Sequence, residues 1–234
     1  SIKMACMKNS FISSFLRCPV CGAELDKTQN PWICKNPDCA TSFPLTRGIP
    51  ILIHEKNSIF SVKKFLLEKE TFFPLSTSFE KFLKKNWPTL GKNLRAKQNY
   101  EFLSTLLQKT SPNPRILIIG AGNAFGQGIK ILHSHPSFQI IETDVSIGSS
   151  TSIICDAHNL PFADETFDAI IAQAVLEHVV DPYRCVQEIY RALKPQGFLY
   201  AETPFMQQVH GREYDFSRFT DLGHRRLFRN FKEL

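Results

Sequence analysis

The sequence lacks the features that mark several specialised protein classes. No apolar run approaches the roughly 20 residues needed to cross a bilayer, and there is no internal repeat or low-complexity tract. The apolar residues near the N-terminus are interrupted by lysine, asparagine and several serines, so we expect no cleavable signal peptide. A hydrophobic content of 43% with 12% aromatic residues is typical of a globular protein. We therefore expect a soluble, cytoplasmic chain, whose 234 residues allow one sizeable core plus a small accessory module.

The net charge of +6 is moderate and unevenly distributed. Much of the excess lies between Lys63 and Lys97, where nine Lys or Arg residues accompany three Glu residues. Such a segment can form an RNA-facing surface. Charge runs are more often the solvated face of a helix, so a solvated helical face is favoured over an RNA-binding surface.

Four of the seven cysteines form two short-spaced pairs near the N-terminus, C-x2-C and C-x4-C, with twelve residues between the pairs. A reducing cytoplasm disfavours disulfides, so the pattern indicates a metal site, with independent buried thiols as the alternative. Four thiolates from two tight turns suit tetrahedral Zn(II), and such a closed site is structural because no position remains for water or substrate. The predicted zinc ligands are Cys18, Cys21, Cys34 and Cys39.

After a tail at 1–14, residues 15–54 are predicted to form this zinc module, in which the stretch from Phe43 to Ile53 is a strand that completes it. The cysteines together with "FP...GIP.L" resemble the zinc ribbons that bind and activate tRNA, rRNA and protein methyltransferases. Residues 55–114 show an amphipathic helical pattern and are predicted to be a helical linker, with the clearest helix at 93–108.

The remaining residues, 115–234, begin with an apolar strand, a Gly-rich turn and a helix. Glycines in such a turn let a ligand approach the backbone at the carboxyl ends of parallel strands. A dinucleotide fingerprint would place a third glycine where Phe125 stands, so that interpretation fits poorly. Further strands are predicted to end at Asp144, Asp156 and Gln173, and Asp181 is predicted to cap the next helix.

The stretch 116–205 resembles class I S-adenosylmethionine (SAM) methyltransferases of the type 11 group, through "LPF....FD.I.....LEHV.DP......I.R.LKP.G.L". The resemblance implies an α/β, Rossmann-like sheet with helices on both faces, and SAM as the cofactor. It places the glycine turn under the methionine part, Asp144 on the ribose and Asp156 with Ala157 on the adenine; the alternative for both acids is that they cap strands or turns. The cofactor-binding residues implied are Gly120, Ala121, Gly122, Asp144, Asp156, Ala157 and Gln173.

The sequence departs from this family in three places. Ile118 stands where an acid is common, and Ala124 where a third glycine is common. The gap from Asp144 to Ile153 is too short for the usual helix between the second and third strands. The chain also ends before the last two of the usual seven strands, so the sheet is expected to be truncated or abbreviated.

Catalytic candidates should follow the fourth and fifth strands, where a general base could deprotonate a hydroxyl or amine acceptor. They are His178, for which capping of the next helix is an equal alternative, and His210 with Asp215. The pattern "PF..Q.H....D..R.T..G" resembles methyltransferases of cell-envelope polysaccharide synthesis, which implies a small-molecule or glycan acceptor. Two alternatives stay open: an rRNA or tRNA acceptor bound by the ribbon and basic linker, and a non-catalytic scaffold with a degenerate SAM pocket.

Overall fold

The computed structural model describes residues 10–67, 93, 95–122, 127–205 and 214–234. The N-terminal part contains a short helix, a three-stranded antiparallel sheet in the order β1-β2-β3, and an antiparallel hairpin formed by β4 and β5. Its elements are α1 (Ser10–Phe15), β1 (Leu25–Asp26), β2 (Trp32–Cys34), β3 (Ser42–Phe43), β4 (Leu45–Thr46) and β5 (Ile49–Leu52).

The rest of the described chain alternates between helices and parallel strands, and none of the described helices is long and apolar enough to cross a bilayer. Two short 3-10 turns, Glu55–Asn57 and Leu176–His178, interrupt this alternation. Its helices and strands are α2 (Val62–Leu67), α3 (Ala96–Thr110), β6 (Arg115–Ile119), α4 (Gln127–His133), β7 (Gln139–Asp144), β8 (Ile153–Cys155), β9 (Phe167–Gln173), α5 (Pro182–Ala192), β10 (Leu193–Glu202) and α6 (Asp221–Leu227).

Seven strands form one sheet in the order β10-β9-β6-β7-β8-β5-β4, parallel except at the β4–β5 pair. The order reverses between β6 and β9, which is the topological switch point where open α/β sheets bind ligands. This is the Rossmann-like α/β arrangement expected from the sequence. Among the described residues no strand lies outside β10, and no helix separates β7 from β8, as the short segment between them predicted.

The prediction that the stretch from Phe43 to Ile53 is one strand completing the ribbon is wrong. Pro44 ends β3, and a turn with positive φ at Arg47 (51°) and Gly48 (79°) reverses the chain into β5. Strand β5 then leaves the small sheet and pairs in parallel with β8. The reason lies in its composition: "IPIL" is apolar on both faces, as buried parallel strands are, whereas a ribbon strand has one solvated face.

Apolar side chains cover both faces of the large sheet. On one face, Tyr100, Leu103 and Leu107 of α3 pack with α4 against β6 and β9. On the other face, α5 packs in a cluster that also includes Leu25, Trp32, Phe43 and Leu52 from the N-terminal part. The cysteine module and the large sheet therefore share one core.

Residues of the long signature motif hold the loop after β8 against α5 and against the N-terminal part. Leu16 forms an isolated antiparallel bridge with Phe162 of the "LPF" sequence, and both side chains are buried. The guanidinium of Arg191 on α5 donates to the carbonyls of Leu160 (3.0 Å) and Phe162 (2.7 Å), while the Glu188 carboxylate accepts from the Leu160 amide (2.9 Å). These bonds fix the loop that follows β8 and carries Asp156.

We predict that Leu52→Ala destabilises the cysteine module and the large sheet together. Leu52 is fully buried in the shared core, so the cavity should lower the free energy of unfolding by about 2–5 kcal/mol. Leu66→Ala, at a half-exposed position on α2, is the control and should change it by about 0.5 kcal/mol or less. Urea unfolding followed by tryptophan fluorescence and by far-UV circular dichroism should give coincident transitions. Separate transitions by the two probes would contradict a shared core.

Candidate cofactor and acceptor site

The turn after β6 requires its two glycines. Gly120 (φ 71°) and Gly122 (φ 53°) adopt left-handed conformations that residues with a Cβ rarely take. A Cβ on Gly120 would also lie 2.5 Å from Cγ2 of Val175, in the segment after β9. The amide of Ala121, which is buried, donates to the Thr143 carbonyl (3.1 Å) and ties the turn to β7. At these two glycines, backbone without side chains therefore faces the switch point between β6 and β9.

Asp144 at the end of β7 is buried and holds this turn. One carboxylate oxygen accepts from the Gly122 amide (2.7 Å) and the other from the Ser146 amide (2.8 Å). Burial raises the pKa of this carboxyl to about 6, although the backbone amides oppose the shift. The carboxylate has four acceptor positions, so the amides of Gly122, Val145 and Ser146 leave it acceptor capacity for a ligand that carries hydroxyl groups.

Asp156 follows β8 and is also buried, next to the buried Ala157. Its Oδ1 accepts from the His158 amide (3.0 Å) and from His158 Nδ1 (2.5 Å), and its Oδ2 accepts from the Ser58 hydroxyl. The Asp181 amide approaches Nε2 of His158 (3.0 Å) and orients the ring. Burial acts to raise the pKa of Asp156, but the hydrogen bonds and charge interaction with His158 and the hydrogen bond from Ser58 outweigh it, and the pKa is lowered.

Gln173 at the end of β9 lies in a polar network that the sequence did not reveal. Its Oε1 accepts from the Tyr100 hydroxyl (2.9 Å) and its amide donates to Glu202 (3.2 Å), which also accepts from Tyr200 (2.9 Å). A Cβ on Gly128 of α4 would lie 2.1 Å from the Tyr100 ring. The position of Glu202 at the carboxyl end of a strand was the signal available in the sequence.

The predicted catalytic residues His178 and Asp215 come together where the segment after β10 meets the turn after β9. Nδ1 of His178 donates to the Tyr214 carbonyl (2.7 Å), and the amides of Phe216 (2.8 Å) and Ser217 (3.1 Å) donate to the Glu177 carbonyl. Asp215 forms a two-pronged ion pair with Arg218. The third predicted residue, His210, lies outside the described residues, as do Ala124 and Phe125.

Glu177 is a buried carboxyl beneath this segment. Its side chain is fully buried, and neither carboxyl oxygen has a hydrogen-bond partner among the described residues; His178 Nε2 lies 3.9 Å from Oε1. Burial raises its pKa to about 7, partly countered by Arg218 and reinforced by Asp215 and Glu202. A protonated Glu177 is thus the favoured form in mildly acidic solution.

The four predicted metal ligands converge. Their Sγ atoms all lie within 4.8 Å of one another, with Cys18 and Cys39 3.8 Å apart and Cys21 and Cys34 3.4 Å apart. Zn–S bonds of about 2.3 Å in a tetrahedron place sulfur atoms about 3.8 Å apart. Two tight turns present the thiols, one closed by the Gly22 amide on the Cys18 carbonyl (2.8 Å) with Gly22 at φ 77°. The donor set and spacing fit a four-thiolate zinc ion.

Comparisons with known proteins match the sheet portion of the chain. Residues 120–201 match the family described as "Methyltransferase domain". The C-methyltransferase UbiE of ubiquinone and menaquinone biosynthesis from Desulfotalea psychrophila is 48% identical over 44 residues, which are 19% of this chain and 18% of that protein. The uncharacterised protein MJ0638 of Methanocaldococcus jannaschii is 30% identical over 121 residues, which are 49% of this chain and 52% of that protein.

Among solved structures, the complex between the Haloferax volcanii Trm112 methyltransferase activator and a methyltransferase is 18% identical, with a TM-score of 0.41. That similarity covers 67% of this chain and 76% of the other. The chain spans about half or less of the length of the two curated relatives. The matched segment runs from the glycine turn into β10 and includes Asp144 and Asp156. The family match and the curated relatives show that this segment is similar to methyltransferase domains.

We predict that the stability of the protein depends on pH through Glu177. Its pKa is raised from 4.5 to about 7 in the folded state, so the folded state binds more protons than the unfolded state in this range. The free energy of unfolding should therefore fall by up to about 3 kcal/mol as pH rises from 4.5 to 7. Urea unfolding of Glu177→Gln should show a smaller decrease than wild type, because only other raised carboxyl groups such as Asp144 still contribute.

Glu101→Gln, at an exposed position on α3, is the control and should keep the wild-type pH profile. A Glu177→Gln profile that matches wild type would show that this carboxyl ionises normally.

Proposed function

We propose that this protein transfers a methyl group from SAM to a small-molecule or glycan acceptor. The observation that carries the proposal is the pairing of the glycine turn with Asp144. The glycine backbone at the switch point and a buried carboxylate with remaining acceptor capacity lie side by side, joined by the Gly122 amide (2.7 Å). This pair suits a ligand with a charged chain and a ribose diol.

In the proposed complex, the turn from Gly120 to Gly122 passes under the methionine part of SAM and Asp144 accepts from the two ribose hydroxyls. Asp156 and Ala157, one strand further along the sheet, contact the adenine. Val175, packed on Gly120, borders the same turn from β9. SAM supplies an electrophilic methyl group, and the role of the chain is to bind it and hold the acceptor in line with the carbon–sulfur bond.

The acceptor is proposed to lie beyond the carboxyl ends of β9 and β10. Gln173 and Glu202 end these strands, and the segment from Tyr214 to Arg218 docks beside them. Three carboxyl groups, those of Glu177, Glu202 and Asp215, accompany Arg218 here. With Asp215 paired to Arg218 and Glu177 buried, the described part of this edge offers no excess of positive charge to the phosphates of RNA, which supports a small molecule or glycan over the RNA alternative.

His178 and Asp215 are proposed to act by holding this segment in place. The Nδ1 proton of His178 is committed to the Tyr214 carbonyl, and the Asp215 carboxylate is committed to Arg218. Each is therefore engaged in positioning the chain around the acceptor. The assignment of His210 as the general base stays a prediction. Mass spectrometry of metabolite, glycan and RNA pools incubated with isotope-labelled SAM would identify the acceptor, and labelling confined to RNA would contradict the proposed class.

We further propose that Cys18, Cys21, Cys34 and Cys39 hold one structural zinc ion. The closed four-thiolate set leaves no position for substrate, so the metal stabilises the N-terminal part and takes no part in methyl transfer. A module of this size has little core of its own, and the metal holds together the two turns that precede β5.

We predict that Asp144→Asn weakens SAM binding by about 1–3 kcal/mol, because a neutral amide is a poorer acceptor for the ribose hydroxyls than a carboxylate. Glu142→Gln is the matched control: it lies on the same strand, is buried, and contacts His133 (3.1 Å) instead of the turn. Isothermal titration calorimetry should show the loss in Asp144→Asn alone. Equal affinities for wild type and Asp144→Asn would exclude Asp144 as the ribose ligand.

We predict that the purified protein binds one zinc ion per chain and that Cys34→Ser loses it. Removing one of four thiolates opens the coordination shell, and the freed metal no longer stabilises the folded module. Cys185→Ala, at a buried cysteine on α5 away from the cluster, should keep its zinc. Elemental analysis of the three proteins gives the readout. Full zinc content in Cys34→Ser would overturn the ligand assignment.

A further inference from the structure

The chain that leaves β5 runs directly to the carboxyl ends of the parallel strands, where Asp156 follows β8. The 3-10 turn Glu55–Asn57 follows two residues after β5, and Ser58 comes next. Its hydroxyl donates to Oδ2 of Asp156 and accepts from the Phe60 amide (3.1 Å). The hydroxyl is therefore oriented from both sides, with its proton directed at the carboxylate.

Apolar packing holds this segment in place. Phe60 is buried and stacks on Tyr214, with ring centroids 5.5 Å apart, and also contacts Phe65 (6.5 Å). The same cluster includes Val145 and Ile147, which follow the proposed ribose ligand Asp144. The packing of Phe60 therefore fixes the position of Ser58 beside Asp156.

The hydrogen bonds of Asp156 can be counted oxygen by oxygen. A carboxylate oxygen accepts up to two hydrogen bonds. His158 supplies two donors to Oδ1, the amide at 3.0 Å and Nδ1 at 2.5 Å, and thereby fills it. Ser58 supplies one donor to Oδ2. Within the described part of the chain, one acceptor position therefore remains, and it is on Oδ2.

We propose that Ser58 is a positioning residue that directs this remaining acceptor position of Asp156 toward the 6-amino group of the SAM adenine. The inference rests on the proposed SAM site and deepens it. With Oδ1 held by His158 and Oδ2 by Ser58, the carboxylate plane cannot rotate. Because Ser58 follows β5, the strand that comes from the cysteine module sets the nucleobase preference of the cofactor cleft.

The chemistry of the base gives a direct readout of this role. Adenine presents an amino donor at position 6, whereas hypoxanthine presents a carbonyl oxygen that a carboxylate acceptor repels. A fixed Asp156 should therefore favour adenosyl over inosyl ligands. A carboxylate that can rotate away should discriminate less between them.

The test is isothermal titration calorimetry of the intact protein with S-adenosylhomocysteine and S-inosylhomocysteine. Ser58→Ala should bind the adenosyl ligand about 10-fold more weakly, the scale of one hydrogen bond to a charged group, while its affinity for the inosyl ligand changes little. Ser58→Thr, which keeps the hydroxyl, should restore both affinity and preference. Ser61→Ala is the matched control, because it removes a hydroxyl in the same segment that donates to Glu55 (3.1 Å) instead.

Each outcome decides one of the two proposals. If the wild type binds neither ligand, the proposed SAM site fails. If the wild type prefers the adenosyl ligand and Ser58→Ala keeps the same preference, the SAM site stands and the role of Ser58 is excluded. Equal losses for both ligands in Ser58→Ala, with no rescue by Ser58→Thr, would also exclude it, since a general structural effect moves both affinities together.

Discussion

The parallel pairing of β5 with β8 determines how the two parts of this protein work together. The ladder is short, with Ile51 opposite Ile154 and Leu52 opposite Cys155, but all four side chains are buried. It covers a sheet edge that would otherwise expose unpaired backbone groups. Because β5 runs parallel to β8, the chain leaving β5 emerges at the carboxyl end of the sheet, where it meets Asp156.

Asp144 and Asp156 show how burial and hydrogen bonding have opposite effects on the pKa of a carboxyl group. Asp144 and Asp156 are both buried, and burial acts to raise the pKa of each. Backbone amides reduce this effect for Asp144 without reversing it, so its pKa is about 6. At Asp156 the His158 ring and the Ser58 hydroxyl add side-chain donors, and the pKa falls below its usual value. Asp156 therefore remains charged over a wider pH range than Asp144.

Local sequence patterns predicted most of the large sheet. An apolar run predicted the strand Arg115–Ile119. Capping chemistry predicted the helix that begins after Asp181, with Pro182 at its first position. The short segment between β7 and β8 predicted that no helix separates them. The pairing of β5 with β8 could not be predicted, because it joins segments about 100 residues apart and "IPIL" has no alternation to mark its partner. The Tyr100–Gln173–Glu202 network was hidden for the same reason, since it depends on tertiary contacts alone.

The central claim is that SAM binds a cleft whose walls include the segment after the cysteine module. Hydrogen–deuterium exchange of the intact protein with and without saturating SAM tests it most directly, because bound ligand slows local opening wherever it contacts the protein. The account predicts slower exchange at the Gly120–Gly122 turn, after β7 and β8, and at residues 55–60 together. Unchanged exchange at residues 55–60, with protection at the glycine turn, would contradict it.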